Sequence, residues 1–330
     1  MGVVLAPLWA VSFYRRASNR VVRQMLDSVQ SVDCDEVADC MSAKPTEREV
    51  EKLREAYCGV LSDSASLCVA DASLRLRAAD IACEVSSVGF PPGSFGRLGD
   101  GSFCPTPACV VVAMGARLPV HFLVELACEL AGSYRKDSRD VRGMVERNAV
   151  LTLDQLCRYL DDASNMRGSK GARKAVPYVI EGSGSPMETT LFTLLCLGIR
   201  LGGAGLPKPE MNARIDLPPE QRVSTGRSFL KADMLWRDRR LILEYDSDWA
   251  HGNSRSLNRD ATRRNALQDL GYTVVTVTRE QVFNWESFCA LVSQIGKRLG
   301  KADRAKCDWS SKRFQVWRDL TNPARFGSSL

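Results

Sequence analysis

The stretch FLKADMLWRDRRLILEYD, residues 229–246, contains two apolar runs that predict neighbouring β-strands. The strands are predicted over Phe229–Trp236 and Arg240–Asp246, where apolar and aromatic residues dominate. Helix and strand patterns alternate around this pair: a helix at Met187–Arg200, a helix at Leu257–Leu270, a strand at Tyr272–Thr278 and a helix at Gln281–Leu299. This order predicts an α/β fold in which helices flank a mixed sheet.

Acidic residues interrupt these apolar strands. Asp233 lies in the middle of the first strand, while Glu244 and Asp246 end the second. Because side chains alternate along a strand, Glu244 and Asp246 share one face, as do Lys231 and Asp233. Charged residues rarely interrupt apolar strands without a partner or a metal ion. Asp233 and Glu244 are therefore the strongest candidates for a functional site.

A two-residue turn at residues 238–239 would set the register of the predicted hairpin. It would place Asp233 opposite Glu244 and Lys231 opposite Asp246, with Cβ atoms about 4.5–5.5 Å apart in each pair. Two carboxylates at that spacing raise each other's pKa unless a cation lies between them. Mg²⁺ takes oxygen ligands and would relieve the repulsion. A longer loop would shift this register.

Four segments of the second half carry a resemblance to a known family: ADMLW at 232–236, LEYDSDWAH at 243–251, RDATRRNAL at 259–267 and GYTVVTVT at 271–278. Their order, with ten residues between Asp233 and Glu244, resembles the PD-(D/E)XK nuclease superfamily. Within it they resemble the Vsr-like endonuclease domains grouped as domain of unknown function 559, also found in abortive-infection antitoxin-like proteins. The segments SPMET at 185–189 and GGAGLPKPEMN at 202–212 resemble the flanks of an actinobacterial subfamily.

This resemblance implies a restriction-endonuclease-like fold and Mg²⁺-dependent hydrolysis of DNA phosphodiester bonds. By position, Asp233 and Glu244 would bind the metal ion and Asp246 would assist them. His251 would transfer a proton, because Vsr-like enzymes have a histidine there, after an aromatic residue. In the following helix, Asp260 and Arg263 match the family's Asp-x-x-Arg segment. The helix would contact the nucleic acid through its arginines, Arg259, Arg263 and Arg264.

The chain departs from the superfamily pattern at two positions. Asp246 occupies the position of the lysine in the Glu-x-Lys motif, a change that Vsr-like relatives tolerate. Lys231 would supply a nearby cation if the predicted register holds, or it would simply pair with Asp246. Ala232 replaces the usual proline before Asp233.

Two further candidates have simpler structural explanations. Glu188 matches a helix acid of the superfamily, but Ser185 three residues earlier makes a capping box, and capping is the favoured interpretation of Glu188. Asp260 and Arg263 could instead form a simple intrahelical ion pair without a functional role, worth about 0.2–0.5 kcal/mol.

The chain of 330 residues is long enough for two domains. We predict an α/β region of unknown role, mostly helical, at 1–165, a linker at 166–186, the restriction-endonuclease-like domain at 187–300 and a basic aromatic tail at 301–330. In the first region, helices are predicted at 18–31, 47–61, Leu118–Ala131 and Leu151–Ala163, with strands and loops from Ser64 to Ala116. Thr152, with Gln155 three residues later, predicts a capping box at the start of the last of these helices. His121 is predicted to be a packed core residue.

The tail could serve two roles. Residues 297–330 contain nine basic and three acidic residues. This excess of six positive charges equals the formal net charge of +6 of the whole chain. Aromatic residues are interleaved with the charges: Trp309, Phe314, Trp317 and Phe326. The tail could contact a polyanion, or it could be an amphipathic helix whose aromatic residues pack on the body.

Composition restricts the class of protein. Hydrophobic residues make up 45% and charged residues 25%, which excludes global disorder and collagen-like repeats. No export signal and no apolar run of roughly 18 residues is evident, so we predict a cytoplasmic protein without a membrane span. The 12 cysteines are therefore expected to be reduced, and no zinc-site spacing is found among them.

Three functional interpretations remain from the sequence. The first is a DNA endonuclease in a defence or repair setting. The second is a non-cleaving DNA-binding or antitoxin-like module on the same fold, with a protein partner in a toxin–antitoxin or defence system. A role in protein interaction, with purely structural acidic residues, is a third and simpler reading.

Overall fold

The computed structural model describes residues 2–86, 89–246, 254–301 and 311–322, without the side chains of residues 254–260. The chain forms two compact units, Met1–Val179 and Ile180–Leu330. The division falls inside the stretch predicted to be a linker, but that stretch differs from an open linker. Residues Ser169–Ala175 form a helix of the first unit whose Ala172 and Ala175 are fully buried.

The described part of the first unit combines helices with pairs of short strands. The helices are α1 (Pro7–Arg16), α2 (Asn19–Asp27), α3 (Cys34–Ser42), α4 (Glu47–Ala56), α5 (Pro107–Met114), α6 (Val120–Leu130), α7 (Leu153–Asp162) and α8 (Ser169–Ala175). The strands are β1 (Ala65–Val69), β2 (Ile81–Val85), β3 (Phe95–Arg97), β4 (Phe103–Pro105), β5 (Tyr134–Lys136) and β6 (Met144–Glu146). β1 and β2 pair in parallel, whereas β3 with β4 and β5 with β6 pair antiparallel.

Helix α5 was predicted wrongly, as part of a region of strands and loops. Thr106 caps the helix by accepting a hydrogen bond from the Cys109 amide, and Pro107 begins it. The helix is apolar on every side, and nearly all of its residues are buried. A helix buried on all sides has no polar face, so its short apolar run cannot be told from a buried strand by periodicity.

The helices of the first unit show two predicted features and one that was not predicted. Thr152 and Gln155 form the predicted capping box at the start of α7. His121 on α6 is 8% exposed and lies against the ring of Phe122, which confirms its prediction as a packed core residue. A buried ion pair between Arg15 and Glu129 joins α1 to α6.

The second unit contains a four-stranded mixed sheet with helices around it. Its elements are α9 (Pro186–Cys196), β7 (Glu210–Asp216), α10 (Pro219–Thr225), β8 (Phe229–Trp236), β9 (Leu241–Asp246), α11 (Ser254–Asp269), β10 (Thr273–Thr278), α12 (Arg279–Phe283), α13 (Trp285–Arg298) and α14 (Lys312–Leu320). The strand order is β10-β9-β8-β7, with β9 and β10 parallel and the other neighbours antiparallel. The predicted α/β class and mixed sheet are confirmed.

Two elements of this unit differ from the prediction. Strand β7 was not predicted, although its buried Ala213 and Ile215 alternate with exposed residues as in a sheet with one buried face. The predicted single helix at Gln281–Leu299 is two helices, α12 and α13. Asn284 separates them because its side chain caps α13 by accepting a hydrogen bond from the Ser287 amide.

The start of the C-terminal tail packs on the body of the second unit. The ring of Trp285 on α13 lies 5.2 Å from that of Phe314 and 5.3 Å from that of Trp317, measured between centroids. The Trp317 indole N–H donates to the Val282 carbonyl at 2.8 Å. The packing interpretation is therefore confirmed for these two aromatic residues, while Trp309 and Phe326 lie outside the described residues.

The helix lengths and the cysteines bear on the predicted compartment. Within the described ranges, no helix combines the length and the apolar character needed to cross a membrane. Free thiols are present at buried cysteines such as Cys104, Cys109 and Cys128, as expected. Cys289 is instead disulfide-bonded, which corrects the expectation that every cysteine is reduced.

Candidate functional site

Strands β8 and β9 form an antiparallel hairpin in the predicted register. Met234 lies opposite Leu243, and Trp236 lies opposite Leu241. The turn itself differs, because residues 237–239 form a 3₁₀ turn that closes at Arg240 with a left-handed φ of 47°. This connection is one residue longer on each side than the predicted turn. A symmetric extension leaves the register unchanged.

The strand pairing ends just before the two predicted metal ligands. The last described pair is Met234 with Leu243, and the same register places Asp233 opposite Glu244 one residue further on. There the Tyr245 amide donates to Oδ2 of Asp233 at 2.8 Å. The carboxylate of Asp233 is therefore held against the backbone of β9, next to Glu244.

Arg263 on α11 binds the Glu244 carboxylate with both ends of its guanidinium. Nη2 lies 3.0 Å from Oε1 and Nη1 lies 2.7 Å from Oε2. Nη2 also donates to the Lys231 carbonyl. This bidentate geometry is the strongest form of arginine–carboxylate contact. Arg263 was predicted to contact nucleic acid, and in this structure it neutralises Glu244.

Glu188 is a third carboxylate of the site, which the sequence assigned to helix capping. Ser185 does cap α9 by accepting from the Glu188 amide at 3.1 Å. The Glu188 carboxylate, however, accepts hydrogen bonds on Oε2 from the Gly184 amide at 2.8 Å and from Nδ2 of Asn212 at 2.6 Å. The capping interpretation is thus right for Ser185 and incomplete for Glu188, which is only 8% exposed.

The three carboxylates influence one another electrostatically. Burial raises the pKa of Glu188 to about 7, and the charge of Asp233 adds to the effect. Burial also raises the pKa of Glu244 to about 7, with Asp233 again adding and Arg263 opposing. Burial raises the pKa of Asp233 as well, although the hydrogen bond from the Tyr245 amide and the charge of Arg263 both act to lower it. Near neutral pH this cluster therefore favours a bound proton or a cation.

The donor set fits a hard cation with few protein ligands. In the part of the chain that the structure describes, no group of three or more histidine, cysteine, aspartate or glutamate residues could hold a metal ion. Mg²⁺ is usually bound by one or two carboxylates together with water and substrate phosphate. Asp233 and Glu244 meet that requirement, but a metal ion on Glu244 would have to displace the Arg263 guanidinium.

The other predicted site residues are distributed around this cluster. Asp246 ends β9 half-buried and pairs with Thr278 of β10. Lys231 is exposed and lies opposite Arg214 of β7, and the described pairs of β8 and β9 stop before reaching it. Arg264 is exposed on α11. His251 and the side chains of Arg259 and Asp260 lie outside the described residues, so their predicted roles stay predictions.

Asn212 is the functional candidate that sequence reasoning missed. It lies on the unpredicted strand β7, with a left-handed φ of 48°, and donates from Nδ2 to Glu188 and to the Gly182 carbonyl at 3.0 Å. Asparagine tolerates this conformation better than most residues. The available signal was its position at the end of the GGAGLPKPEMN segment.

Comparison with known proteins gives two similar sequences. They are Uncharacterized protein MT2308 of Mycobacterium tuberculosis strain CDC 1551 / Oshkosh and Uncharacterized protein Rv2248 of strain ATCC 25618 / H37Rv. Each is 29% identical to this chain over 168 residues. The match covers 48% of this chain and 56% of each relative, so the chain spans just over half their length. No family model matches the chain, and no solved structure gives a significant match.

Proposed function

We propose that the second unit is a Mg²⁺-dependent endonuclease domain of the PD-(D/E)XK type, which hydrolyses phosphodiester bonds in DNA. The observation that carries this proposal is the meeting of Glu188, Asp233 and Glu244 in one partly buried site. Burial raises the pKa of all three carboxyls, and the charge of Asp233 adds to the rise at Glu188 and Glu244. Buried carboxyls with raised pKa values that lie close together are typical of functional sites.

The residues of the site have separable roles in this proposal. Mg²⁺ held by Asp233 and Glu244 would neutralise charge on the phosphate and acidify a water molecule. The Tyr245 amide orients Asp233 in advance, so little reorganisation is needed on binding. Glu188 has a pKa of about 7, near the working pH, and can accept a proton on its carboxylate. Asp246 and His251 keep their predicted assisting and proton-transfer roles.

Arg263 would change partner when the site is loaded. It now neutralises Glu244, and a metal ion on that carboxylate would release the guanidinium at the same position. A free arginine beside the site can bind a phosphate oxygen pair in the bidentate manner. Arg264, exposed one residue later on α11, and Arg259 complete the proposed contact with the DNA backbone.

The test compares the wild type with the double variant Asp233→Ala/Glu244→Ala. We expect calorimetry to detect Mg²⁺ binding to the wild type only, and plasmid nicking to fall at least about 100-fold in the variant. The matched control is Glu210→Ala/Asp216→Ala, which removes two exposed acids of the same sheet that pair with Arg237 and Arg214. This control should bind Mg²⁺ and nick DNA as the wild type does.

Three results would count against the proposal. If the folded wild type neither binds Mg²⁺ nor nicks DNA, the nuclease proposal is wrong. If it binds Mg²⁺ but leaves DNA intact, the metal site stands and DNA is the wrong substrate. Equal nicking by the double variant would place the catalytic site elsewhere.

A second candidate is a DNA-binding or antitoxin-like module that does not cleave. Two observations favour it: Arg263 already binds both oxygens of Glu244, and Asp246 stands at the usual lysine position. Such a module would bind DNA in a salt-dependent way that neither a chelator nor Asp233→Ala alters. Either function is proposed for a cytoplasmic protein of a defence or repair system, and the second would involve a protein partner.

A further inference from the structure

We propose that Asn212 is a positioning residue that holds the Glu188 carboxylate in the acidic site. The inference rests on the proposed function, because it assigns Asn212 to the same metal-dependent site. It is carried by three observations: the place of Asn212 in the sheet, its backbone conformation and its contacts with the segment before α9.

Asn212 lies directly beside the acidic cluster. In the antiparallel ladder of β7 and β8, Met211 pairs with Met234 and Ala213 pairs with Ala232. The same register places Asn212 opposite Asp233. Its φ of 48° is left-handed, which ordinary strand residues do not adopt. Such conformations persist where the surrounding contacts enforce them, and they cluster at functional sites.

The side chain of Asn212 links the sheet to the segment that begins α9. Its Nδ2 atom donates to the Gly182 carbonyl at 3.0 Å and to Oε2 of Glu188 at 2.6 Å. The Gly184 amide donates to the same oxygen at 2.8 Å. Two donors from different elements therefore hold one oxygen of Glu188, and the direction of the carboxylate follows from them.

Gly184 shows how tightly these groups are packed. A Cβ atom at Gly184 would lie 3.1 Å from Nδ2 of Asn212 and 3.2 and 3.3 Å from the two carboxylate oxygens of Glu188. These distances are shorter than ordinary van der Waals contacts, so a methyl group would require the amide or the carboxylate to shift by a few tenths of an ångström. Gly184 therefore leaves room for the Asn212–Glu188 contact as it stands.

The test uses Asn212→Gly, which retains the left-handed backbone but removes the amide. We expect hydrogen exchange at the Gly184 amide to become faster, because Glu188 is no longer held against it. In this inference the Glu188 carboxylate would hold a water ligand of the ion bound by Asp233 and Glu244. We therefore also expect Mn²⁺, a paramagnetic probe for the site, to bind about 10- to 100-fold more weakly, with a lower kcat for nicking and an unchanged KM for DNA. The stability of the unit, measured by urea unfolding, should change much less than the metal affinity.

The matched control is Arg240→Gly. Arg240, in the connection between β8 and β9, is also a non-glycine residue with a left-handed φ, at 47°, and its Nη1 also donates to a backbone carbonyl, that of Leu270. Its replacement should change neither Gly184 exchange nor Mn²⁺ affinity. Gly184→Ala is the second variant, which should weaken Mn²⁺ binding while Asn212 is intact. It carries the test if Asn212→Gly does not fold.

The outcomes separate this inference from the proposed function. Unchanged Gly184 exchange in Asn212→Gly would overturn the inference, whatever the metal does. Faster exchange with unchanged Mn²⁺ affinity would reduce Asn212 to a structural tether and overturn its positioning role. A wild type that binds no Mn²⁺ would instead overturn the nuclease proposal, and faster exchange in the variant would still support the hold on Glu188.

Discussion

Replacing Asp233 with asparagine should abolish Mg²⁺-dependent cleavage and at the same time stabilise the second unit. The amide oxygen of asparagine can still accept the hydrogen bond from the Tyr245 amide, so the hairpin keeps its geometry. The lost charge removes a proposed metal ligand, and nicking should fall at least about 100-fold. It also removes the repulsion that helps to raise the pKa of Glu188 and Glu244 to about 7.

The stabilisation should depend on pH. A carboxyl whose pKa is raised by folding binds its proton more tightly in the folded state than in the unfolded state. The free energy of unfolding of the wild type therefore falls as pH rises from about 4 to above 7, where the unfolded carboxyls ionise first. Asp233→Asn should gain on the order of 1–3 kcal/mol over the wild type at pH 8 and nothing below about pH 4.

Urea unfolding at pH 4, 6 and 8, together with plasmid nicking, checks both parts of this prediction. Asp216→Asn is the matched control, because Asp216 lies on the same sheet and its side chain is 70% exposed. It should leave cleavage and stability unchanged. An Asp233→Asn variant that cleaves normally would contradict the nuclease proposal. A variant that is less stable at pH 8 would show that Asp233 is a favourable structural partner rather than a source of repulsion.

Truncating Glu129 to alanine should destabilise the first unit by about 3–5 kcal/mol, the largest expected effect on stability. Arg15 contacts both carboxylate oxygens of Glu129 at 2.9 and 2.6 Å, and the Lys136 amide donates to Oε1 at 3.0 Å. Burial alone would raise the pKa of Glu129, but Arg15, Lys136 and Arg147 outweigh it and hold the pKa at about 2. The variant would leave Arg15 buried without its partner.

The control for Glu129→Ala is Arg158→Ala, which breaks an ion pair with Asp154 in which both side chains are exposed. It should change the free energy of unfolding by less than about 0.5 kcal/mol. The double variant Arg15→Met/Glu129→Leu should recover part of the loss, because it removes both buried charges. A loss below about 1 kcal/mol in Glu129→Ala would contradict the expectation that Arg15 is left as an uncompensated buried charge.

Acid should have the same effect as the Glu129 truncation. The folded pKa of about 2 lies below the ordinary value of 4.5. The contribution of Glu129 is therefore fully present above about pH 4.5 and is lost as pH falls toward 2. Between these pH values, the free energy of unfolding of the first unit should depend less steeply on pH in Glu129→Ala than in the wild type.

The sequence by itself determined the hairpin and the meeting of Asp233 with Glu244. Both follow from local rules: side chains alternate along strands, and a short connection sets the register of the strands that it joins. The register survived a different turn because the extra residues were added symmetrically. The helix starts at Thr152 and Ser185 were equally local, since a cap depends on residues only a few positions apart.

Only the tertiary structure decided which groups surround those two acids. Glu188 meets Asn212, and Arg263 meets Glu244, through contacts between elements that lie far apart in the chain. A capping motif and an Asp-x-x-Arg segment describe their own helices, and neither states which face of the sheet the helix covers. Glu188, at the start of its helix, becomes the third carboxylate of the site only through burial against the sheet. Desolvation and the charge of Asp233 raise its pKa only once the elements have packed.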